Sequence, residues 1–153
     1  MKIAVLTSSI GSTKLLEPKP FNGVDYHAFV DYEDDNTSWI KHPIIPFSSD
    51  VRYKNRRDAK VYKVLPFAFL PDYDYYFWID STHTLQANPQ DVIDKYLTNS
   101  DIAVFKHPQR DCIYIEGEFV KQIKFDHPNL LEDQLEFYKD TVSYTHLRAH
   151  ETS

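Results

Sequence analysis

Acidic, cationic and imidazole side chains stand at three places in this sequence where their types and spacing could support chemistry. The first place is Asp80, which closes the aromatic run 73–80. A carboxylate at the end of such a strand is exposed at the edge of a sheet, where a hard divalent cation can take it as an oxygen ligand. Asp also starts turns, so the same residue has a purely structural interpretation.

The second place is a cationic segment, residues 52–63, inside a chain whose net charge is −6. Arg56, Lys60 and Lys63 have the spacing of neighbours on one face of a helix. Such a face can neutralise a diphosphate, because arginine makes planar bidentate contacts and lysine supplies a point charge. A solvated helix surface is the alternative interpretation of this segment.

The third place brings together an imidazole, a guanidinium and a carboxylate, in His107, Arg110 and Glu116. These groups could hold a sugar or orient a reacting hydroxyl. A loop salt bridge between Arg110 and Glu116 explains the same residues without any catalytic role.

Composition narrows the possible functions. Hydrophobic residues at 42% and charged residues at 26% are typical of a folded globular domain. The net charge of −6 argues against a nucleic-acid partner, and three glycines cannot supply a glycine-rich phosphate loop. The lone Cys112 excludes an internal disulfide and a cysteine-built zinc site. We expect no membrane span, since no apolar run approaches about 20 residues, and a cytoplasmic location, since the first apolar run turns polar at Thr7.

Strands and helices alternate along the predicted elements, which indicates an α/β sandwich with a largely parallel sheet. The predicted strands are 2–8, 25–31, 73–80 and 101–105. The predicted helices are 48–64 with caps at 48–50, 91–97 after Asn88 and Pro89, 112–125 (where a strand start stays open), and 129–138 with Asn129 as its cap. Ligands of such sheets bind beyond the carboxyl ends of the strands, which draws attention to Thr7, Ser8, Ser9, Asp31, Asp80 and His107.

Several of these segments together resemble a glycosyltransferase-like family, once a domain of unknown function, that includes plant mucilage-related and bacterial polysaccharide-locus members. The segments that carry the resemblance are 55–60, 63–66, 71–75, 78–80, 101–110 and 114–116, with Gln134 and Tyr138. The resemblance as a whole extends from Lys2 to about Asp140, and 55–116 is its most specific part.

The resemblance implies a GT-A-like, Rossmann-like three-layer sandwich with a mostly parallel mixed sheet. It also implies a nucleotide-sugar donor, a divalent metal (Mn²⁺ or Mg²⁺) and a glycan or other hydroxyl acceptor. By this analogy Asp80 binds the metal, and Arg57, Lys60 and Lys63 face the diphosphate. The segment from Thr7 and Ser8 to Gly11 lies near the base or ribose, and His107, Arg110 and Glu116 line the sugar and acceptor side.

The last residues need a separate interpretation. Residues 141–152 resemble the translation of a sequencing adapter, so we expect 1–140 to be the N-terminal part of one glycosyltransferase-like domain and 141–153 to be an artefactual tail. We therefore expect the natural chain to continue past Asp140. The predicted function is a metal-dependent glycosyltransferase of polysaccharide biosynthesis. The alternatives are a metal-dependent hydrolase and a non-catalytic module that binds glycans or nucleotide sugars.

Overall fold

A computed structural model of the chain describes residues 1–11, 15–33, 37–49 and 52–141. It contains two compact units, Met1–Asp101 and Ile102–Ser153. The first unit holds β1 (Ile3–Ser9), β2 (Val24–Val30), β3 (Ile40–Pro43), α1 (Lys54–Val64), α2 (Pro66–Phe69), β4 (Tyr75–Trp78) and α3 (Pro89–Tyr96). The second unit holds α4 (Ile113–Gln122) and α5 (Pro128–Thr141). Residues 142–153, most of the predicted tail, lie outside the described residues.

The first unit is built on a four-stranded sheet with the order β3-β2-β1-β4. Every pair of neighbouring strands in it is parallel. The α/β prediction is therefore confirmed, and the architecture is consistent with a Rossmann-like fold of the GT-A type. The expected mixed sheet is instead entirely parallel over the described residues.

Strand β1 lies in the middle of the sheet, and all seven of its residues are buried. Such a continuous apolar run is typical of a parallel strand covered on both faces. Ala4 and Leu6 pack on one face with Tyr62 of α1, whereas Val5 packs on the other with Trp39. The residues of the described chain that cluster with Val5 come from strands and non-helical segments.

Helix α1 begins later than predicted. Its N-cap is Tyr53, with no side-chain capping bond, rather than a residue of 48–50. The reason lies further along the helix, because Asp58 Oδ1 accepts the N–H groups of Phe47 and Ser48 at 2.8 and 2.7 Å and keeps that segment outside the helix. Asp50 lies outside the described residues. The helix ends at Val64, as predicted.

The predicted strand 101–105 was wrong. These residues are irregular and exposed, and the side chain of Phe105 is 97% exposed. The apolar residues of this segment favoured a strand, but no strand of the described residues pairs with it. Strand β4 is shorter than predicted, because it pairs with β1 only from Ile3 to Leu6.

Other boundaries agree with the sequence or shift slightly. Asn88 caps α3 as predicted, and its Oδ1 atom accepts the N–H of Gln90 at 3.1 Å. Residues from Ile113 onward form a helix, which decides against a strand start there. Helix α5 begins at Pro128, so Asn129 lies within it and is not its cap. No helix in the described ranges is long and apolar enough to cross a membrane.

Candidate functional site

Asp80 lies just beyond the carboxyl end of β4, where the sequence analysis expects it. Its Oδ1 atom accepts a hydrogen bond from Trp78 Nε1 at 3.2 Å. The same oxygen lies 3.9 Å from Lys60 Nζ, and the Asp80 side chain is 61% exposed. A carboxylate and an ammonium therefore meet at the edge of the sheet, both within reach of solvent.

Trp78 connects this pair to the core. Its ring packs against the cluster formed by residues such as Leu6 and Tyr62, and Lys60 Nζ lies 5.7 Å from the ring centroid. The indole thus contacts the cation through its face and the carboxylate through its N–H group. These contacts of Trp78 are not among the sequence predictions, although an aromatic strand that ends in an acid is a signal for them.

The charges around Lys60 come from its own helix. Burial lowers the pKa of Lys60, Asp80 raises it, and the positive charges of Lys63 and Arg56 lower it again. Arg56, Lys60 and Lys63 therefore interact electrostatically, as their spacing predicted. A concentration of like charge beside one carboxylate favours an anionic ligand.

Arg57 contacts an aromatic side chain. Its guanidinium carbon lies 6.0 Å from the ring centroid of Tyr53. Arg56 and Lys63 are cations whose charges lower the pKa of Lys60. The predicted diphosphate role of Arg57 stays a prediction.

Thr7 and Ser8 lie at the carboxyl end of β1, and both are buried. Their hydroxyls have no hydrogen-bond partner among the described residues. Successive side chains of a strand point to opposite faces, so Thr7 and Ser8 cannot present their hydroxyls to one ligand. Ser8 shares the α1 face with Leu6, and is the better placed of the two to face the same side of the sheet as Lys60.

The loop after β1 is held by two elements. Gly11 donates its N–H to both carboxylate oxygens of Asp31, at 3.1 and 3.0 Å. Gly11 also has a φ of +83°, and a Cβ atom there would lie 3.4 Å from Asn55 Nδ2. A side chain at this position would be both strained and in close contact with α1. The end of β1, the end of β2 and the start of α1 thus meet at one edge.

The fit of a divalent metal can be judged from the side chains at this edge. Among the described residues, no group of three or more His, Cys, Asp or Glu side chains could hold a metal ion. Asp80 offers one carboxylate, part of which is engaged by Trp78. Mg²⁺ commonly takes one or two carboxylates, with phosphate oxygens and water completing its shell. Asp80 therefore fits a metal that arrives with a diphosphate, rather than one held by protein ligands alone.

In the second unit, the structure brings the three predicted residues together. Arg110 Nε donates to Glu116 Oε2, and Arg110 Nη2 lies 3.1 Å from His107 Nε2. The Arg110 guanidinium also lies 4.1 Å above the ring of Phe119. The salt bridge that the sequence left open as an alternative is thus present.

The hydrogen bonds of His107 bear on its chemistry. The N–H groups of Gln109 and Arg110 point at Nδ1, at 3.2 and 3.1 Å, while the Arg110 side chain faces Nε2. Both ring nitrogens therefore face N–H donors. A neutral imidazole has only one acceptor nitrogen, so this arrangement leaves His107 no vacant lone pair with which to take a proton from a hydroxyl.

A cavity of about 430 Å³ adjoins this group between α4 and α5. Its lining combines aliphatic and aromatic side chains with two cations, and consists of Arg110, Tyr114, Ile115, Glu118, Phe119, Gln122, Leu135 and Lys139. Apolar walls with a few polar groups are common in small-molecule sites.

Comparison with known proteins identifies the family of the chain. The family model for the TOD1/MUCI70 glycosyltransferase-like domain matches residues 30–148. A curated relative from Arabidopsis thaliana, described as probable hexosyltransferase MUCI70, is 31% identical over 88 residues. That match covers 56% of this chain but only 15% of the relative. No solved structure matches the chain. Because the family model covers most of the sequence, the chain belongs to the TOD1/MUCI70 glycosyltransferase-like domain family.

Proposed function

We propose that this chain binds the nucleotide-sugar donor of a glycosyltransferase that passes a sugar to a hydroxyl of a glycan during polysaccharide biosynthesis. The observation that carries the proposal is the contact of Asp80, Lys60 and Trp78 at the carboxyl edge of a parallel sheet. Its support from outside the structure is the family membership and a relative described as a probable hexosyltransferase.

The chemistry of such a transfer explains the charges. When the sugar leaves its nucleotide, negative charge develops on the diphosphate, and catalysis depends on cations that already point at that charge. Lys60 would meet the diphosphate, with Lys63 and Arg56 adding to the positive potential around it. A bound Mn²⁺ or Mg²⁺ would neutralise the remaining charge, and Asp80 would supply one oxygen ligand to it.

Trp78 would act by positioning. Its N–H holds one carboxylate oxygen of Asp80, and its ring lies beneath Lys60. Groups that orient a metal ligand usually matter nearly as much as the ligand itself. Trp78 contacts both groups, so it would hold the acid and the cation near each other before any ligand binds.

Within the second unit, His107, Arg110 and Glu116 would hydrogen-bond hydroxyl groups of a sugar or an acceptor. Since Arg110 pairs with Glu116 and faces His107, the group is best suited to hydrogen-bonding hydroxyls. A role as general base for Glu116 would require Arg110 to leave it first.

The test is calorimetric titration of this chain with uridine diphosphate and other nucleoside diphosphates, with and without Mn²⁺. Asp80→Asn keeps the shape of the side chain but removes the charge that a hard cation prefers, so Mn²⁺-dependent binding should be lost. The matched control is Asp72→Asn, an exposed aspartate in the turn before β4, which should bind like the wild type.

Three other results would argue against the proposal. Equal Mn²⁺-dependent affinities in the wild type and Asp80→Asn would remove Asp80 from the site. Release of free sugar from a nucleotide sugar without any acceptor would favour a hydrolase. Binding of glycan or nucleotide sugar with no turnover in the whole parent protein would favour a binding module.

A further inference from the structure

Four hydrogen-bonded groups, none of them a residue of the proposed transferase site, run across the first unit. His27 Nδ1 lies 2.9 Å from His42 Nε2, and His27 Nε2 lies 2.7 Å from the hydroxyl of Tyr73. That hydroxyl donates to Asp25 Oδ2 at 2.8 Å. The line therefore joins strand β3, strand β2 and the segment before β4.

The two imidazoles are packed tightly against each other. Their ring centroids are 5.1 Å apart with an interplanar angle of 28°, and His27 is only 5% exposed. His42 also stacks on Phe29, at 4.9 Å. Since β3 is the edge strand and has only four residues, this side-chain contact adds to a short strand pairing, which runs from Ile40 to Pro43.

The protons of this line can be counted. Tyr73 gives its one proton to Asp25, so His27 must donate from Nε2 to the tyrosine oxygen. A neutral His27 then has a bare Nδ1, which accepts from Nε2–H of His42. A first added proton can enter at His42 Nδ1 and leave every hydrogen bond intact.

A second proton cannot be added without breaking a hydrogen bond of the line. It must enter at His27 Nδ1, where it faces the N–H of His42 across 2.9 Å. Two donors would then point at each other between two positively charged rings, with nothing to accept either proton. The pair therefore tolerates one positive charge but not two.

We propose that the His27–His42 hydrogen bond is an acid-sensitive contact, which holds edge strand β3 on β2 and releases it when both rings are protonated. The consequence reaches α1 through the segment that follows β3. Ile45 donates its N–H to the hydroxyl of Tyr62 at 2.8 Å, and Phe47 donates to Asp58 at 2.8 Å. When β3 separates from β2, the segment that follows β3 loses its attachment on the β3 side.

The charged and titratable surroundings agree with release in mild acid. On the described elements, Asp25 and Tyr73 face His27, Tyr62 of α1 lies behind Phe29, and Asp72 and Tyr76 lie beside Tyr73. Burial lowers the pKa of His27, and His42 lowers it further, although Asp25 opposes both. Burial also lowers the pKa of His42.

The lowered pKa values of His27 and His42 determine how stability changes with pH. A histidine whose folded pKa is depressed binds fewer protons than it does in the unfolded chain. Its contribution to stability is complete above the unfolded value of about 6.5 and is lost as the pH falls through the folded value.

The test compares the pH dependence of unfolding in the wild type and in His42→Gln between pH 8 and pH 5. Glutamine keeps an N–H donor near the position of Nε2 but does not titrate. We expect the unfolding constant of the wild type to rise more steeply on acidification, by up to about tenfold per pH unit for each proton that the pair excludes. His83→Gln, which changes an exposed histidine, is the matched control and should keep the dependence of the wild type.

Amide exchange in the wild type provides the second measurement and does not depend on whether a variant folds. At pH 5, after correction for intrinsic rates, the amides of Ile45 and Phe47 should lose protection while that of Val5 in β1 keeps it. Imidazole resonances followed over the same range should report both rings losing their pairing together. The proposal is overturned if His42→Gln retains the pH dependence of the wild type, or if both rings become charged while Ile45 stays protected.

Discussion

Lys60 Nζ lies 3.9 Å from Asp80 Oδ1, with the ring of Trp78 5.7 Å from the same ammonium. The lysine comes from the middle of α1 and the aspartate from the end of β4, so the fold and not the local sequence creates their contact. An exposed ion pair of this kind contributes little to stability. Under the proposed function, this pair at the carboxyl edge of the sheet is where the diphosphate would bind.

Replacing Lys60 with alanine should weaken the binding of a nucleoside diphosphate more than the binding of the free nucleoside. The reason is that the ammonium would contact phosphate and not the base. Titration of uridine diphosphate and uridine into both proteins measures the difference. Lys95→Ala is the matched control, because Lys95 also lies over an aromatic ring, at 5.0 Å from Tyr96. If Lys60→Ala reduced the affinities for the nucleoside and for its diphosphate equally, Lys60 would not contact the phosphates.

Trp78→Phe should lower the Mn²⁺-dependent affinity for the diphosphate by roughly tenfold, as is common when the group that orients a metal ligand is lost. Phenylalanine keeps a ring beneath Lys60 but has no N–H for Asp80. The control is Trp39→Phe, which removes the indole bond to the Leu16 carbonyl at 2.8 Å in the opposite core. That change should reduce stability and leave the affinity unaltered. An unchanged affinity in Trp78→Phe would contradict the positioning role.

The central strands could be predicted because their signals are local. A buried apolar run such as 3–6 and the Asn88-Pro89 start of α3 determine their own conformation. Local sequence also predicted that Asp80 lies at the end of a strand, because an aromatic run ends there. The helical spacing of Arg56, Lys60 and Lys63 likewise predicted that their charges interact.

The features that the sequence did not reveal depend on distant partners. Helix α1 starts at Lys54 rather than at 48–50 because Asp58 binds the N–H groups of Phe47 and Ser48. The hydrophobic run 101–105 has a strand-like composition, yet strand formation needs a neighbour, and the described residues offer none. The contact of Trp78 with Asp80 likewise appears only once the strand and its turn are placed.

Asp58→Ala should destabilise the chain by at least about 2 kcal/mol, because two N–H groups would lose their acceptor and each such loss costs roughly 1–3 kcal/mol. Asp58 is 2% exposed and also binds Lys54. Urea unfolding at pH 7 measures the loss. Asp94→Ala is the control, since exposed Asp94 accepts from the side chain of Gln90, and it should change stability by less than about 0.5 kcal/mol.

The same aspartate predicts a pH dependence. Burial alone would raise the pKa of Asp58, but hydrogen bonds from Lys54, Ser48 and Phe47 outweigh burial and lower it. A depressed carboxyl pKa gives stability that is complete above the unfolded value of about 3.9 and is lost as the pH falls through the folded value. The stability difference between the wild type and Asp58→Ala should therefore narrow below about pH 4. A difference that stays constant down to pH 2 would show that the carboxylate charge is not what matters.

Gly117→Ala should destabilise the second unit, against the usual preference of helices for alanine. Gly117 is buried in α4, and a Cβ atom there would lie 2.7 Å from Leu135 Cδ1 and 2.8 Å from Cδ2. Overpacking of this kind costs about 1–3 kcal/mol, whereas the gain in helix propensity is about 1 kcal/mol. A double-mutant cycle with Leu135→Ala separates the two effects. In the wild-type background Gly117→Ala should reduce the free energy of unfolding, and in the Leu135→Ala background it should increase it. The same loss in both backgrounds would mean that α4 and α5 are not packed through this pair of residues.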